Sequence, residues 1–124
     1  MRIDRLSKEA LLKILKGDLK VDANCIIKFY SNECHLCHAF KDYYVEITED
    51  EEFSDVHFFA FNLADYPAAE KRLGFYGVPS IVFVGVQASN PNPKIRIAKD
   101  PEKPNQETWY TVNHIKEFIR QEMR

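Results

Sequence analysis

The feature that most constrains this chain is a pair of cysteines, Cys34 and Cys37, placed between two different hydrophobic patterns. A short apolar run at residues 25–30 precedes them, and residues 35–47 repeat apolar side chains at three- and four-residue steps. The first pattern predicts a buried strand and the second an amphipathic helix. The cysteines therefore lie where a strand leads into a helix, and the free N–H groups of a helix N-terminus favour a thiolate there.

Length and composition predict a single globular domain over residues 1–124. Of the 124 residues, 45% are hydrophobic and 29% are charged, as in ordinary folded proteins. The net charge of -2 gives no support for a nucleic-acid partner. No signal-peptide core or membrane-spanning segment is recognisable, so we expect a cytoplasmic monomer without a membrane partner. Thiols stay reduced in that compartment, so the three cysteines are not expected to form a structural disulfide framework.

Strand and helix patterns alternate along the rest of the chain. We predict strands near residue 3 and at 25–30, 56–63, 80–86 and 94–98, and helices at 8–16, 35–47, 68–73 and 112–123. Residues 87–93 predict a turn, and residues 100–105 a loop. Helices between the early strands imply parallel pairing, whereas the last two strands form an antiparallel hairpin. The predicted fold class is α/β, with a mixed sheet of four to five strands covered by helices on both faces.

Two segments of this chain resemble motifs of the thioredoxin family. Residues 26–37 resemble the strand and active-site turn of that family, and Gly77-Val78-Pro79-Ser80 resembles the loop that carries its cis-proline. The order of elements is similar along nearly the whole chain. The resemblance implies the thioredoxin fold and disulfide oxidoreductase activity on proteins, without a cofactor. The implied partners are proteins with disulfides and a reductase or another thiol donor.

The resemblance also implies a role for each residue that matches the family's motifs. Cys34 would be the exposed nucleophile, and Cys37 the thiol that resolves the mixed disulfide. Pro79 would lie in cis against the two sulfurs. The backbone of Val78, together with Leu36, would contact an extended segment of the substrate.

Three departures from the family pattern are expected to tune the pKa values of the site. Glu33 stands where the family commonly has Trp, and His35 begins the pair that replaces Gly-Pro. Lys28 stands in place of a buried acid, while Ala60 replaces a lysine of the third strand. Cationic Lys28 and His35 would favour a thiolate, and Glu33 would oppose it. Since a stabilised thiolate favours the dithiol form, we expect a more oxidising protein than a Gly-Pro thioredoxin. Alternatively, the Lys28 ammonium extends past the strand edge into solvent.

Other functions are compatible with the same cysteines. The stretch from Cys34 to His38 also matches the attachment signature of c-type haem. Zinc or an iron–sulfur cluster would need a second chain, because four ligands within five residues cannot close a tetrahedron alone. A redox-inactive thioredoxin-like binding module is a further alternative. We expect no metal, because the strand-to-helix context favours redox thiols.

Residues outside these motifs are interpreted as structural. Cys25 lies in the first long strand and is expected to be an inert core thiol. Trp109 and Tyr110 are expected to anchor the last helix. The segment from Ala98 to Tyr110 is either a contact for a specific partner or tolerated surface length.

Overall fold

The computed structural model describes residues 3–88 and 90–123 and contains a five-stranded mixed sheet. The strands are β1 (Ile3–Arg5), β2 (Ala23–Tyr30), β3 (Val56–Asn62), β4 (Ser80–Gln87) and β5 (Asn90–Ile97). Their order across the sheet is β1-β3-β2-β4-β5. β3 pairs in parallel with β1 and β2, whereas β4 is antiparallel to both β2 and β5. The predicted mixed sheet is therefore confirmed.

Four α-helices connect or follow these strands, and local capping explains where they begin. They are α1 (Lys8–Leu15), α2 (His35–Glu49), α3 (Ala69–Leu73) and α4 (Val112–Glu122). The hydroxyls of Ser7 and Thr111 accept N–H groups from the first turns of α1 and α4, which satisfies donors that a helix start leaves free. Among the described helices, none is long and apolar enough to cross a membrane.

The sheet separates two hydrophobic cores, because side chains of a strand alternate between its faces. On one face Ile26 packs in a cluster with α2 and α4, and on the other Ile27 packs in a cluster with α1 and α3. Both isoleucines are fully buried. The alternation places Lys28 on the face of Ile26, beneath the first turns of α2.

The predicted turn at residues 87–93 is wrong over most of its length. β4 continues to Gln87, which pairs with Asn90 at the start of β5. Ser89 lies outside the described residues. Pro91 and Pro93 are tolerated within β5 because β5 is an edge strand, where an N–H that faces away from the sheet is not needed for pairing. The Asn-Pro composition resembled a turn, but β5 extends through it, with a shift in the pairing register between Gly85 and Gln87.

The segment after β5 is an irregular loop that packs against the core. Asn105 and Trp109 exchange two backbone hydrogen bonds, of 3.0 and 2.8 Å, which close the loop on itself. Tyr110 is buried, and its ring lies 5.8 Å from that of Phe40 on α2. Trp109 packs against the same cluster and donates its indole N–H to Asp100. Both aromatic residues thus anchor the approach to α4, as predicted.

Candidate active site

Cys34 and Cys37 lie at the start of α2, and the two sulfurs form a disulfide with a Cα–Cα distance of 5.3 Å. Cys34 caps the helix, and its sulfur accepts the N–H of Cys37 at 3.1 Å. The first turn of α2 carries no acidic residue, so no carboxylate there offsets the positive end of the helix dipole. Cys34 is half-buried, whereas Cys37 is only 3% exposed. One sulfur is therefore accessible and the other lies beneath it.

The loop before β4 approaches the accessible sulfur from a distant part of the sequence. The Val78–Pro79 peptide bond is cis, and the Cys34 sulfur lies 3.5 Å from the carbonyl oxygen of Val78. Gly77 holds the loop in shape: its N–H donates to the Glu70 carboxylate, and its carbonyl accepts the Ser80 hydroxyl. Gly77 adopts a φ of 78°, which favours glycine. The loop therefore brings Val78 to Cys34, with the cis bond to Pro79 directly after it.

Side chains of three kinds flank Cys34 in the chain or belong to the loop that contacts it. Leu36, next to Cys37 in the chain, and Val78, whose carbonyl lies beside the Cys34 sulfur, are both half-buried. Glu33 and His35 are exposed, and neither forms an ion pair within the described residues. Tyr76, in the same loop as Val78, is 95% exposed. Sequence reasoning missed Tyr76, because an aromatic residue between two core segments is ordinarily expected in the interior.

Lys28 remains inside the protein and does not extend past the strand edge. It is 7% exposed, and its ammonium lies 5.1 Å from the ring centre of Tyr44 and 5.7 Å from that of Tyr30. Burial, together with the nearby positive charge of Lys41, lowers the pKa of Lys28 to about 8. The alternative of a solvated ammonium is therefore wrong for this residue.

A cavity of about 230 Å³ connects Lys28 with the buried sulfur. Besides Lys28, its walls are formed by Ile3, Tyr30, Cys37, His38, Lys41 and Ala60. Ala60 is the direct partner of Lys28 in the β2–β3 ladder, so its small side chain leaves the space that the cavity occupies. Sequence reasoning missed Lys41, although its position one helical turn after Cys37 places it on the same side of α2.

Cys25, the third cysteine, lies near the opposite end of β2. It is 2% exposed and is a free thiol. Burial raises the pKa of Cys25 to about 11, so its thiolate is scarce at neutral pH. Its predicted position in the core is confirmed.

The residues considered for haem or metal binding are arranged differently from a metal site. His38 is exposed, and its Nε2 atom lies 3.0 Å from the backbone oxygen of Asn32. Within residues 3–88 and 90–123, no group of three or more His, Cys, Asp or Glu side chains is placed to hold a metal ion. In this structure Cys34 and Cys37 are bonded to each other.

Comparison with known proteins places the chain by its fold. No protein-family model matches the sequence, and no curated protein matches it. Solved structures do match. The Trx4 domain of ERdj5 has a TM-score of 0.71 and 12% identity, over 100% of this chain and 97% of that one. Thioredoxin f from spinach chloroplast has a TM-score of 0.66 and 17% identity, over 99% and 95%.

A longer solved structure gives the same result. The J-Trx1 fragment of ERdj5 matches with a TM-score of 0.67 and 16% identity, over 99% of this chain and 50% of that one. The chain therefore spans half of that fragment. At such identities the comparisons establish architecture: this protein has the thioredoxin fold, and the predicted fold class is confirmed.

Proposed function

We propose that this protein is a thiol–disulfide oxidoreductase that acts on protein disulfides through Cys34 and Cys37. The observation that carries the proposal is the geometry of the pair: the two sulfurs are bonded at a helix N-terminus, with one accessible and one buried. A pair held in this way can open and close with little backbone movement. Its helix position favours the thiolate that exchange requires.

The proposed reaction is a reversible exchange in two steps. In the reducing direction, the Cys34 thiolate attacks one sulfur of a substrate disulfide, and the other substrate sulfur leaves as a thiolate. The Cys37 thiolate then attacks Cys34, which forms the Cys34–Cys37 bond and releases the second substrate thiolate. The substrate gains two electrons, and the cysteine pair loses two. A reductase or another thiol donor restores the dithiol.

The surface around Cys34 supports a protein as the substrate. Val78 offers its carbonyl beside the sulfur, and a proline at position 79 has no N–H to compete with an incoming backbone. Leu36 provides an apolar contact, and the exposed ring of Tyr76 extends this surface along the same loop. We therefore include Leu36, Tyr76, Val78 and Pro79 in the substrate contact. The proposed setting is a monomer in the cytoplasm.

Reduction of insulin disulfides by dithiothreitol tests the proposal. The wild type should accelerate the reaction, and Cys34→Ala should reduce the rate to that of dithiothreitol alone. Cys25→Ala is the matched control: it removes the thiol near the far end of β2, leaves the Cys34–Cys37 pair intact and should retain the wild-type rate. If the wild type is no faster than Cys34→Ala, the oxidoreductase is excluded and a redox-inactive binding module is favoured.

A second measurement tests the substrate surface separately from the chemistry. Tyr76→Ala should raise KM for a protein disulfide severalfold with little change in kcat, because it removes contact area and leaves the sulfurs in place. Glutathione disulfide, which is too small to reach along the loop, should react at an unchanged rate. Equal losses with both substrates would exclude Tyr76 from the contact.

A further inference from the structure

The cavity beside Cys37 carries positive charge without a counter-ion. The ammonium-bearing residues Lys28 and Lys41 line it, and no carboxylate of the described residues does. Within residues 3–88 and 90–123, Lys28 forms neither an ion pair nor a side-chain hydrogen bond; its ammonium faces the rings of Tyr30 and Tyr44. Ring faces compensate only part of the cost of burying a cation. The site is therefore built to accept an anion.

One wall residue can supply that anion near neutral pH. A thiol ordinarily titrates near pH 8.5, well below a phenol. The Tyr44 hydroxyl donates to the backbone oxygen of Phe59 at 2.7 Å, and burial raises its pKa well above the usual range, so it remains neutral. Cys37 is held in the disulfide in this structure and becomes a titratable thiol when the pair is reduced. Its sulfur then shares the cavity with Lys28.

We propose that Lys28 is a positioning residue that stabilises negative charge on Cys37 in the reduced pair, where one thiolate is shared between the two sulfurs, and that holds Cys37 as the thiolate once Cys34 is bound in the mixed disulfide, so that reduction supplies the anion that the cavity lacks. The proposal rests on the thiol–disulfide exchange proposed above, and it assigns the regulation of that exchange to a cation on β2. The proposal also predicts the direction in which Lys28 changes the reduction potential of the pair. Stabilising the Cys37 thiolate stabilises the dithiol and makes the protein more oxidising.

The resolving step follows directly from this arrangement. In the mixed disulfide, the Cys37 thiolate attacks the Cys34 sulfur; the Cys34–Cys37 bond forms as the bond from Cys34 to the substrate sulfur breaks. The substrate leaves as a thiolate and takes a proton from solvent. Lys28 keeps its own proton during the step. The new disulfide is neutral, so Lys28 then loses its counter-ion and becomes a stronger acid.

Few of the groups that face Lys28 from neighbouring elements carry a charge that could offset its own. From α2 the facing groups are Cys37, His38 and Lys41, together with the ring of Tyr44, and from β3 the apolar Ala60. From β1 they are the apolar Ile3 and, in register with Ala60, Arg5, whose charge is paired with Asp65. The positive charge of Lys41 repels that of Lys28 and is one cause of the Lys28 pKa of about 8 in the disulfide form. Among the groups that line the cavity, only a Cys37 thiolate would offset the charge of Lys28.

The equilibrium of the Cys34–Cys37 pair with glutathione tests the proposal without any protein substrate. Lys28→Met should shift this equilibrium about tenfold toward the disulfide, which corresponds to about 30 mV for a two-electron couple. Lys28→Arg keeps the charge and should remain close to the wild type. Lys94→Met is the matched control, since the Lys94 ammonium also lies over a ring, that of Phe83 at 5.7 Å, but on β5 and paired with Glu122.

The pH dependence of the reduction potential provides a second test, and its wild-type arm needs no variant. In the wild type, reduction should take up one more proton above about pH 8 than below it, because the disulfide form has there lost the Lys28 proton and regains it when the pair is reduced. In Lys28→Met the uptake should instead occur below the pKa of an ordinary thiol, because Cys37 itself becomes protonated. Above about pH 8, reduction should therefore take up more protons in the wild type than in Lys28→Met, and below that pH it should take up fewer.

Several results would overturn the proposal. These are an unchanged equilibrium in Lys28→Met, an equal shift in Lys28→Arg or in Lys94→Met, and a wild-type profile without additional proton uptake above about pH 8. None of these depends on insulin reduction. A protein that fails to reduce insulin but shows the Lys28 effect would lose the proposed function and keep this inference about its dithiol.

Discussion

The two ends of β2 place cysteines in contrasting surroundings. Cys25 lies near the start of β2, and Cys37 lies in the helix that follows its end. The two residues are almost equally inaccessible, at 2% and 3% exposed. Cys25 packs among apolar side chains of the α1 and α3 face, and burial raises its pKa to about 11. Cys37 lies instead in the first turn of a helix and beside a cavity that contains Lys28. Burial alone therefore does not decide whether a thiol is reactive; the charges and dipoles around it do.

Alternation along β2 separates the two environments. Cys25 and Lys28 lie an odd number of positions apart, so they face opposite sides of the sheet. The lysine thus contributes to the cavity under α2 and leaves the environment of Cys25 apolar. A cation at the neighbouring position of the strand would have acted on the other core.

The largest expected difference is in alkylation, and it sets Cys25 against Cys34, the accessible member of the pair at the other end. In the reduced protein at pH 7, iodoacetamide should modify Cys34 at least about 100-fold faster than Cys25, because the thiolate of a group with a pKa of about 11 is scarce and buried. Mass spectrometry of the labelled peptides measures both rates. In denaturant the two rates should become similar; comparable rates in the folded protein would contradict the comparison.

An intermediate effect is expected from removing the buried cation between them. In the oxidised protein, Lys28→Met should raise the free energy of unfolding at pH 7 by about 1–3 kcal/mol, since it removes a cation without a counter-ion and keeps the packing volume. Urea denaturation measures this gain.

The sign of the pH dependence follows from the lowered pKa of Lys28. Between about pH 8 and the pKa of an exposed lysine, about 10.4, the unfolded wild type binds more protons than the folded state. Wild-type stability attributable to Lys28 therefore rises with pH across this window, and the advantage of Lys28→Met should shrink there. A destabilised variant at every pH would show that the ring contacts outweigh the burial cost.

The smallest effect is expected at the unreactive end. Cys25→Val should leave insulin reduction within about twofold of the wild type and the free energy of unfolding within about 1 kcal/mol, because the thiol acts as a small apolar side chain. Thermal unfolding and the insulin assay measure both quantities. Lost turnover in a normally stable variant would assign Cys25 a role that the structure does not indicate.

Local patterns predicted most of the fold. The three- and four-residue spacing in α2 depends on near neighbours in the chain, so it can be recognised without tertiary contacts. The turn at residues 87–93 was mispredicted because Asn and Pro are typical of turns, while their tolerance in β5 depends on its place at the sheet edge.

The residues of the candidate site likewise fall into two groups: those that sequence motifs identified and those that only the packed structure revealed. Cys34, Cys37 and Pro79 were identified from motifs, because each motif is a local arrangement with its own chemistry. Lys41 and Tyr76 were missed, since one matters through a shared cavity and the other through its exposure. Exposure and cavities are properties of the packed chain.

The sequence by itself determined that a strand ends and a helix begins at the two cysteines, since hydrophobic periodicity acts over a few residues. Only the tertiary structure decided the surroundings of the two sulfurs. Pairing of β2 with β3 sets Lys28 against the small Ala60, and the loop before β4 brings the Val78 carbonyl to Cys34. Because charges act through space and most strongly where water is excluded, these distant neighbours set the chemistry of the pair.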